Sequence, residues 1–97
     1  MTYKRVDENQ TAITKTLRKA GASVQSLASV GKGCPDLLVG YGGDNYLLEI
    51  KNPDKPIKDR ALTEDQVVWH STWNGIINIV ETAEQALKVV DAPMKDE

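Results

Sequence analysis

Hydrophobic residues at helical spacing mark the first ordered segment of the chain. Ile13 and Leu17 lie one turn apart on one helical face, and Asp7 with Gln10 three residues later is typical of a capping box at a helix start. This pattern predicts a first helix over residues 8–20.

Strand-like segments follow this helix. Residues 22–29 alternate weakly between apolar and polar, which indicates a first strand. Residues 37–39 and 46–50 are two apolar runs separated by Gly-Gly-Asp-Asn at 42–45, a strong signal for a hairpin. We therefore expect one strand and then two antiparallel strands.

The C-terminal half alternates helix, strand and helix. Its predicted elements are a helix capped by Thr63 and Gln66 that ends near Gly75, a short buried strand at 76–80, a helix capped by Thr82 and Gln85, and a frayed tail at 91–97. The order α-β-β-β-α-β-α predicts a single α/β domain in which a mixed central β-sheet is flanked by helices.

Composition agrees with one globular domain. The chain has 97 residues, of which 40% are hydrophobic and 27% charged, and no apolar run is long enough to cross a bilayer. Its single cysteine, Cys34, excludes an internal disulfide and a cysteine-based zinc site. We expect a cytoplasmic protein with no membrane partner.

Charge is unevenly distributed along the chain. The net charge is −2, yet residues 15–60 hold eight basic and five acidic residues, whereas residues 61–97 hold two and seven. The N-terminal part can therefore carry a local phosphate-binding surface.

The hairpin is expected to gather three ionisable residues. If Tyr41 pairs with Tyr46, then Asp36 lies opposite Lys51 and Glu49 is one diagonal step away on the same face. The same register forms an apolar face by pairing Leu37 with Ile50 and Val39 with Leu48.

Two carboxylates close together repel each other and are costly to bury unless a cation lies between them. Mg²⁺ prefers oxygen ligands, keeps several waters and often completes its shell with a substrate phosphate. Asp36 and Glu49, with the main-chain carbonyl of Ile50, form a candidate metal site for phosphodiester hydrolysis, in which the metal acidifies a bound water. Lys51 can orient that water and offset transition-state charge.

These residues resemble a known family signature. Pro35-Asp36 followed by Glu49-Ile50-Lys51 is similar to the PD-(D/E)XK nuclease motif, and the element order is similar to the restriction-endonuclease-like core. The Gly-Lys-Gly-Cys-Pro-Asp-Leu-Leu-Val and Leu-Leu-Glu-Ile-Lys segments and the Gln66-x-x-x-His70 helix resemble the stand-alone VRR-NUC domains of phages. The resemblance covers nearly the whole chain. It implies a Mg²⁺- or Mn²⁺-dependent DNase, a homodimer acting on branched DNA such as four-way (Holliday) junctions, with Gln66 as a site residue.

The first helix offers further candidates near its start. Many nucleases of this superfamily carry a glutamate there, but Glu8 points away from the expected face, whereas Asn9 and Gln10 project toward the core side. We expect Asn9 or Gln10 to face the site; the alternative is that Gln10 only completes the helix cap.

Residues of the second predicted helix can lie over the hairpin. Gln66 and His70 share a face with Trp69 and Trp73. The tryptophans are expected in the core rather than stacked on DNA bases, and His70 in a structural hydrogen bond rather than as a catalytic base. Cys34 is expected to be buried and unreactive.

Basic loops flank the proposed metal at both strand ends. The candidates for DNA contact are Lys32, Gly33, Lys55, Lys58 and Arg60, and the alternative is ordinary surface charge. Two other classes of function stay open: a nucleic-acid-binding module that retains the fold without catalysis, and a structural protein with an accidental acidic pair. Flap cleavage and nonspecific cleavage are alternatives to junction cleavage.

Overall fold

A computed structural model describes residues 8–93, and of Glu8 it describes the main chain only. The elements are α1 (Glu8–Lys19), β1 (Ser23–Ser26), β2 (Leu37–Tyr41), β3 (Asp44–Ile50), α2 (Ile57–Arg60), α3 (Glu64–Thr72), β4 (Ile77–Val80) and α4 (Ala83–Val90). The predicted order is confirmed, with α2 as an additional short helix in the segment expected to be a loop. Asp7, and with it the predicted N-terminal capping box, lies outside the described residues, as does most of the tail.

The four strands form one mixed sheet in the order β1-β2-β3-β4. The β1–β2 and β2–β3 pairs are antiparallel, whereas β4 runs parallel to β3. Alternate residues of β2 and β3 point to one face, where they pack with α1 and α4. The buried cluster there includes Ile13, Leu17, Leu37, Val39, Leu48, Val80, Leu87 and Val90. This core confirms the predicted apolar faces of the first and last helices.

The predicted hairpin register is wrong by two residues. Tyr41 pairs with Asp44 rather than with Tyr46, and Leu37 pairs with Leu48 rather than with Ile50. The reason is the turn: Gly42 and Gly43 have φ of 62° and 89°, as a two-residue hairpin turn with both φ values positive requires, so Asp44 already belongs to β3. An even shift keeps each side chain on its predicted face, and so the apolar set stays in the core.

Three further boundaries differ from expectation. β1 covers only Ser23–Ser26, and α3 ends at Thr72 rather than near Gly75. The buried strand predicted at 76–80 begins at Ile77, and of its residues only Val80 is buried, because β4 is an edge strand. None of the described helices is long and apolar enough to cross a membrane.

Both C-terminal helices begin at the predicted caps. In α3, the Thr63 side chain accepts a hydrogen bond from the Gln66 main chain, and the Gln66 side chain accepts one from the Thr63 main chain, which completes the capping box. In α4, Thr82 accepts from the Gln85 main chain, but the Gln85 side chain accepts from Glu81 N instead. These caps fix where each helix meets the sheet.

Candidate active site

Asp36 is fixed at the end of the β2–β3 ladder. It follows Pro35 and precedes β2, and its main-chain N–H donates to the Leu48 carbonyl at 3.0 Å. Its Oδ2 accepts a hydrogen bond from Ile50 N at 2.7 Å, so the carboxylate takes the place of a main-chain acceptor beyond the end of the strand. The predicted pairing of Asp36 with Lys51 is therefore wrong. The buried Asp36 carboxylate instead binds the residue between Glu49 and Lys51.

Glu49, Lys51 and Gln66 form one buried polar network. Gln66 Nε2 donates to Glu49 Oε2 at 3.0 Å, and Lys51 Nζ donates to Gln66 Oε1 at 2.9 Å. The ammonium of Lys51 also lies 3.6 Å from Glu49 Oε2. Only 1% of Glu49 and 11% of the Lys51 side chain are exposed, so these two charges are held away from bulk water and interact strongly.

Gln66 has a second function that the sequence pattern did not reveal. Its Oε1 accepts from Thr63 N at 2.9 Å as well as from Lys51 Nζ. The same amide oxygen thus caps α3 and orients the Lys51 ammonium. The capping-box pattern at Thr63 and Gln66 marks the helix start, but the contact with Lys51 requires the tertiary fold.

The carbonyl of Ile50 is directed toward the Asp36 side of β3. In an antiparallel strand, the N–H and C=O of one residue point to the same neighbouring strand. Because Ile50 N donates to Asp36 Oδ2, the Ile50 carbonyl projects to the same edge. The predicted oxygen ligands Asp36 and Ile50 therefore lie side by side.

Asn9, near the start of α1, is hydrogen-bonded to the main chain just after β3 and β4, at the end of the sheet that carries Glu49 and Lys51. Its Nδ2 donates to the carbonyls of Lys51, at 3.1 Å, and Glu81, at 3.4 Å. Asn9 therefore joins the residues that follow β3 and β4. Gln10 is buried, and the Glu8 side chain lies outside what the structure describes. Of the three candidates, Asn9 is the one seen to contact the main chain of a site residue.

His70 lies one turn beyond Gln66 on α3. Burial and the neighbouring Lys51 ammonium lower the pKa of His70 below its ordinary value. Among the described residues its buried Nε2 has no hydrogen-bond partner, so the structural hydrogen bond expected for His70 is not seen at that atom. The lowered pKa favours the neutral form of the imidazole.

Trp69 and Trp73 are stacked on each other, with ring centroids 4.7 Å apart. They line a groove of about 360 Å³ on the sheet face opposite α1, together with Leu38, Leu47 and Ile76. Trp73 remains 48% exposed, so it is not a core residue as predicted, whereas Trp69 is partly buried. Neither ring lies in the polar network.

The glycine loop before Asp36 packs against the start of α3. Lys32 and Gly33 have φ of 54° and 86°, and a Cβ on Gly33 would lie 2.2 Å from the Asp65 carbonyl oxygen. Gly33 is therefore required by packing in this loop. Lys32 is exposed and Cys34 is buried, the latter as predicted.

The basic residues after β3 divide into two kinds. Lys55 and Lys58 are exposed, whereas Arg60 is partly buried and its Nη1 lies 3.5 Å from Glu81 Oε2. The ion pair occupies part of the Arg60 guanidinium. The ammonium groups of Lys55 and Lys58 are therefore more accessible for binding an anion than the guanidinium of Arg60.

The donor set at this site suits a hard cation that retains water. Among residues 8–93, no group of three or more histidine, cysteine, aspartate or glutamate side chains could hold a metal. The protein supplies the carboxylates of Asp36 and Glu49 and the Ile50 carbonyl, all of them oxygen donors. Mg²⁺ and Mn²⁺ accept such ligands and fill the remaining positions with water or substrate, whereas structural zinc needs four protein ligands.

Comparisons of the chain with protein-family models, with curated proteins and with solved structures find no match. The chemistry of the polar network is therefore what supports a functional assignment.

Proposed function

We propose that this protein is a metal-dependent DNA endonuclease that hydrolyses phosphodiester bonds. The observation that carries the proposal is the buried Glu49–Lys51–Gln66 network next to a buried Asp36. Buried ionisable groups that are costly to desolvate are concentrated at functional sites. Two carboxylates can hold a metal ion that activates water, and an ammonium beside them can stabilise charge on the phosphate, as metal-assisted phosphodiester cleavage requires.

Each residue has a separate proposed role. Asp36, Glu49 and the Ile50 carbonyl would hold Mg²⁺ or Mn²⁺, which when bound would acidify water at the site and withdraw charge from the phosphoryl oxygens. Lys51, oriented by Gln66, would orient the attacking water and stabilise negative charge as it develops on the phosphate. Asn9 would hold the main chain of Lys51 in place.

The element order and the motif support a finer assignment of the fold, as a restriction-endonuclease-like domain of the VRR-NUC type. We propose branched DNA such as a four-way junction as the substrate, with flap or nonspecific DNA as the alternative, and the cytoplasm as its location.

A homodimer would suit a two-fold symmetric junction, because two sites could then cut opposing strands. The groove at Trp69 and Trp73 supports self-association, since Leu38, Trp73 and Ile76 are 38%, 48% and 79% exposed. Ile76→Glu is expected to convert a dimer to a monomer in light scattering, and a wild-type chain that is already monomeric would contradict this proposal.

Cleavage of linear, flapped and four-way DNA in the presence of Mg²⁺ tests the nuclease proposal. Asp36→Asn keeps an oxygen to accept from Ile50 N but loses the charge, so we expect a loss of at least about 10²-fold in rate. Lys51→Ala should lower the rate similarly, whereas Asp44→Asn and Lys88→Ala, at exposed positions, are the matched controls. Cleavage that persists in both site variants would refute the assignment of the site.

A non-catalytic nucleic-acid-binding module is the second candidate. It is favoured by one observation, that Lys51 and Gln66 both contact Glu49 Oε2, so protein groups compensate part of the buried charge. Such a module would bind the same DNA panel with and without Mg²⁺ and would leave every substrate intact.

A further inference from the structure

A second groove lies between α1 and β1, on the flank of the molecule away from the tryptophans. Its volume is about 450 Å³, and its polar lining residues are Gln10, Thr11, Thr14, Lys15, Arg18 and Ser26, beside the apolar Val24 and Leu37. Hydroxyl, amide N–H, ammonium and guanidinium groups are all hydrogen-bond donors, and no carboxylate is among the lining residues within the described part of the chain. The groove is therefore suited to an anion with several acceptor oxygens.

The chain segment that builds this flank is basic. Residues 9–35 contain Lys15, Arg18, Lys19 and Lys32 and no aspartate or glutamate, although the whole chain has a net charge of −2. All four basic residues are exposed. The segment comprises almost all of α1, all of β1 and the loop leading to Asp36, and its formal charge is +4.

Two residues that line the groove adjoin site residues along the chain. Gln10, which lines it, follows Asn9, the residue bound to the Lys51 carbonyl. Leu37, another lining residue, directly follows Asp36. At a helical rise of about 1.5 Å per residue, the groove extends roughly 12 Å along α1 from Gln10 to Arg18. With phosphates spaced about 3.4 Å along the axis of each strand, this length covers about three nucleotides.

The guanidinium of Arg18 is oriented at the far end. Its Nη2 donates to the Val24 carbonyl at 3.1 Å, which ties the side chain to β1. A guanidinium carries five N–H donors, so the others are available to a phosphate. Lys15 lies one turn nearer the site and adds a second positive charge.

We propose that the α1–β1 groove binds the phosphodiester backbone of the DNA strand that leads into the active site. Lys15 and Arg18 neutralise phosphates, and the hydroxyls of Thr11, Thr14 and Ser26 hydrogen-bond phosphate oxygens. Such contacts fix the position of the strand without reading its sequence. This inference rests on the proposed nuclease function, because it assigns the path of the DNA strand that the nuclease would cleave.

Fluorescence anisotropy with labelled duplex DNA tests the groove in an Asp36→Asn background, in which we expect cleavage to be at least about 10²-fold slower. The double variant Lys15→Ala with Arg18→Ala should weaken binding by about tenfold or more at moderate salt and should reduce the slope of log K against log salt by about 1.8, which is 0.9 for each phosphate contact. Lys88→Ala on α4 is the matched control and should alter neither quantity.

Folding is checked by urea unfolding of each variant. If the double variant is unfolded because the hydrogen bond from Arg18 to Val24 is lost, the single variant Lys15→Ala replaces it in the binding experiment. The expected change in slope is then about 0.9. Unchanged affinity and slope in a folded variant would overturn the proposal. So would weaker binding at an unchanged slope, because the residues would then act through structure rather than through phosphate contact.

These experiments distinguish a failure of the groove proposal from a failure of the nuclease proposal. Mg²⁺-dependent cleavage by the wild type with no effect of the groove variants would leave the nuclease intact and refute the groove. A changed salt slope without cleavage by the wild type would support the groove and refute the nuclease. Tighter binding to phosphatidylserine-containing vesicles than to DNA, lost in the double variant, would identify a membrane surface and overturn the proposal.

Discussion

At the residue scale, Gln66 connects the helix cap to the charged groups of the site. Its amide oxygen accepts from Thr63 N and Lys51 Nζ while its amide nitrogen donates to Glu49 Oε2. Each polar atom faces a partner of the opposite kind, which satisfies a buried amide. Removing it would leave buried donors and a carboxylate with fewer partners, and that loss costs more than a hydrogen bond contributes on average.

Gln66→Met should therefore destabilise the fold by about 1–3 kcal/mol, because the replacement fills the space without hydrogen-bonding. Urea unfolding at neutral pH measures this. Gln85→Met is the matched control: Gln85 occupies the same position in α4 but is exposed, so about 0.5 kcal/mol is expected. Equal losses in the two variants would mean that Gln66 acts only as a cap.

His70 predicts a specific pH dependence of stability. Its pKa is lowered in the folded protein by burial and by Lys51, so the unfolded chain binds the proton more readily. The free energy of unfolding should therefore decrease as the pH drops from about 6.5, the ordinary pKa of histidine, to the lower pKa of His70 in the folded protein. Above about pH 6.5, His70 should contribute no pH dependence.

The comparison of wild type with His70→Gln isolates this effect from the titration of carboxylates. Unfolding free energies at about pH 7.5 and about pH 5.5 should differ less in the variant than in the wild type. A variant whose stability falls as steeply as that of the wild type would show that His70 is not the responsible group.

At the scale of elements, the loop that contains Gly33 packs closely against the start of α3 at Asp65. Gly33 has a positive φ, and its α-carbon leaves no space for a Cβ because the Asp65 carbonyl oxygen would lie 2.2 Å away. The loop continues into Pro35 and Asp36, and α3 carries Gln66. The distance between the two sides of the site therefore depends on Gly33 remaining a glycine.

Gly33→Ala should destabilise the protein by about 2–4 kcal/mol, because backbone strain and a main-chain clash add. Gly31→Ala is the control: Gly31 also has a positive φ, but a Cβ there meets nothing within 4 Å, so only the backbone cost of about 1 kcal/mol is expected. If chemical denaturation gives the same loss for both, the contact with Asp65 does not determine the geometry.

The sequence predicted the elements better than their pairing. Side-chain periodicity identified the apolar faces, and the Thr63 and Thr82 caps located two helix starts, since both signals are local. The register was missed because an even shift preserves the periodicity, and only the dihedral angles of Gly42 and Gly43 distinguish a two-residue from a four-residue turn. The short α2 was missed because its four residues bury no side chain.

The same division holds for the candidate site. Glu49, Lys51 and Gln66 were predicted and meet in one network, whereas the partner proposed for Asp36 was wrong because it depended on the register. The contact of Gln66 with Lys51, the Arg60–Glu81 ion pair and the contacts of Asn9 join residues far apart in sequence, and no local pattern encodes them.

At the scale of the whole molecule, a site that concentrates buried charge is expected to be stabilised by its ligand. A cation that binds the folded chain but not the unfolded one raises the free energy of unfolding by RT ln(1 + [L]/Kd), about 2.7 kcal/mol at a hundredfold excess over Kd. Mg²⁺ and Mn²⁺ should therefore raise the melting temperature, and K⁺ at equal ionic strength should not. For a domain of this size, 1 kcal/mol corresponds to about 4–8 °C.

Asp36→Asn separates this effect from general screening of charge. It retains an acceptor for Ile50 N and removes one negative charge, so the variant should fold and its melting temperature should respond little to Mg²⁺. Asp44→Asn removes the same charge at an exposed position and should respond as the wild type does. An equal Mg²⁺ response in all three proteins would mean that the cation acts on the surface as a whole, and the oxygen ligands assigned to Asp36 and Glu49 would then have no metal to hold.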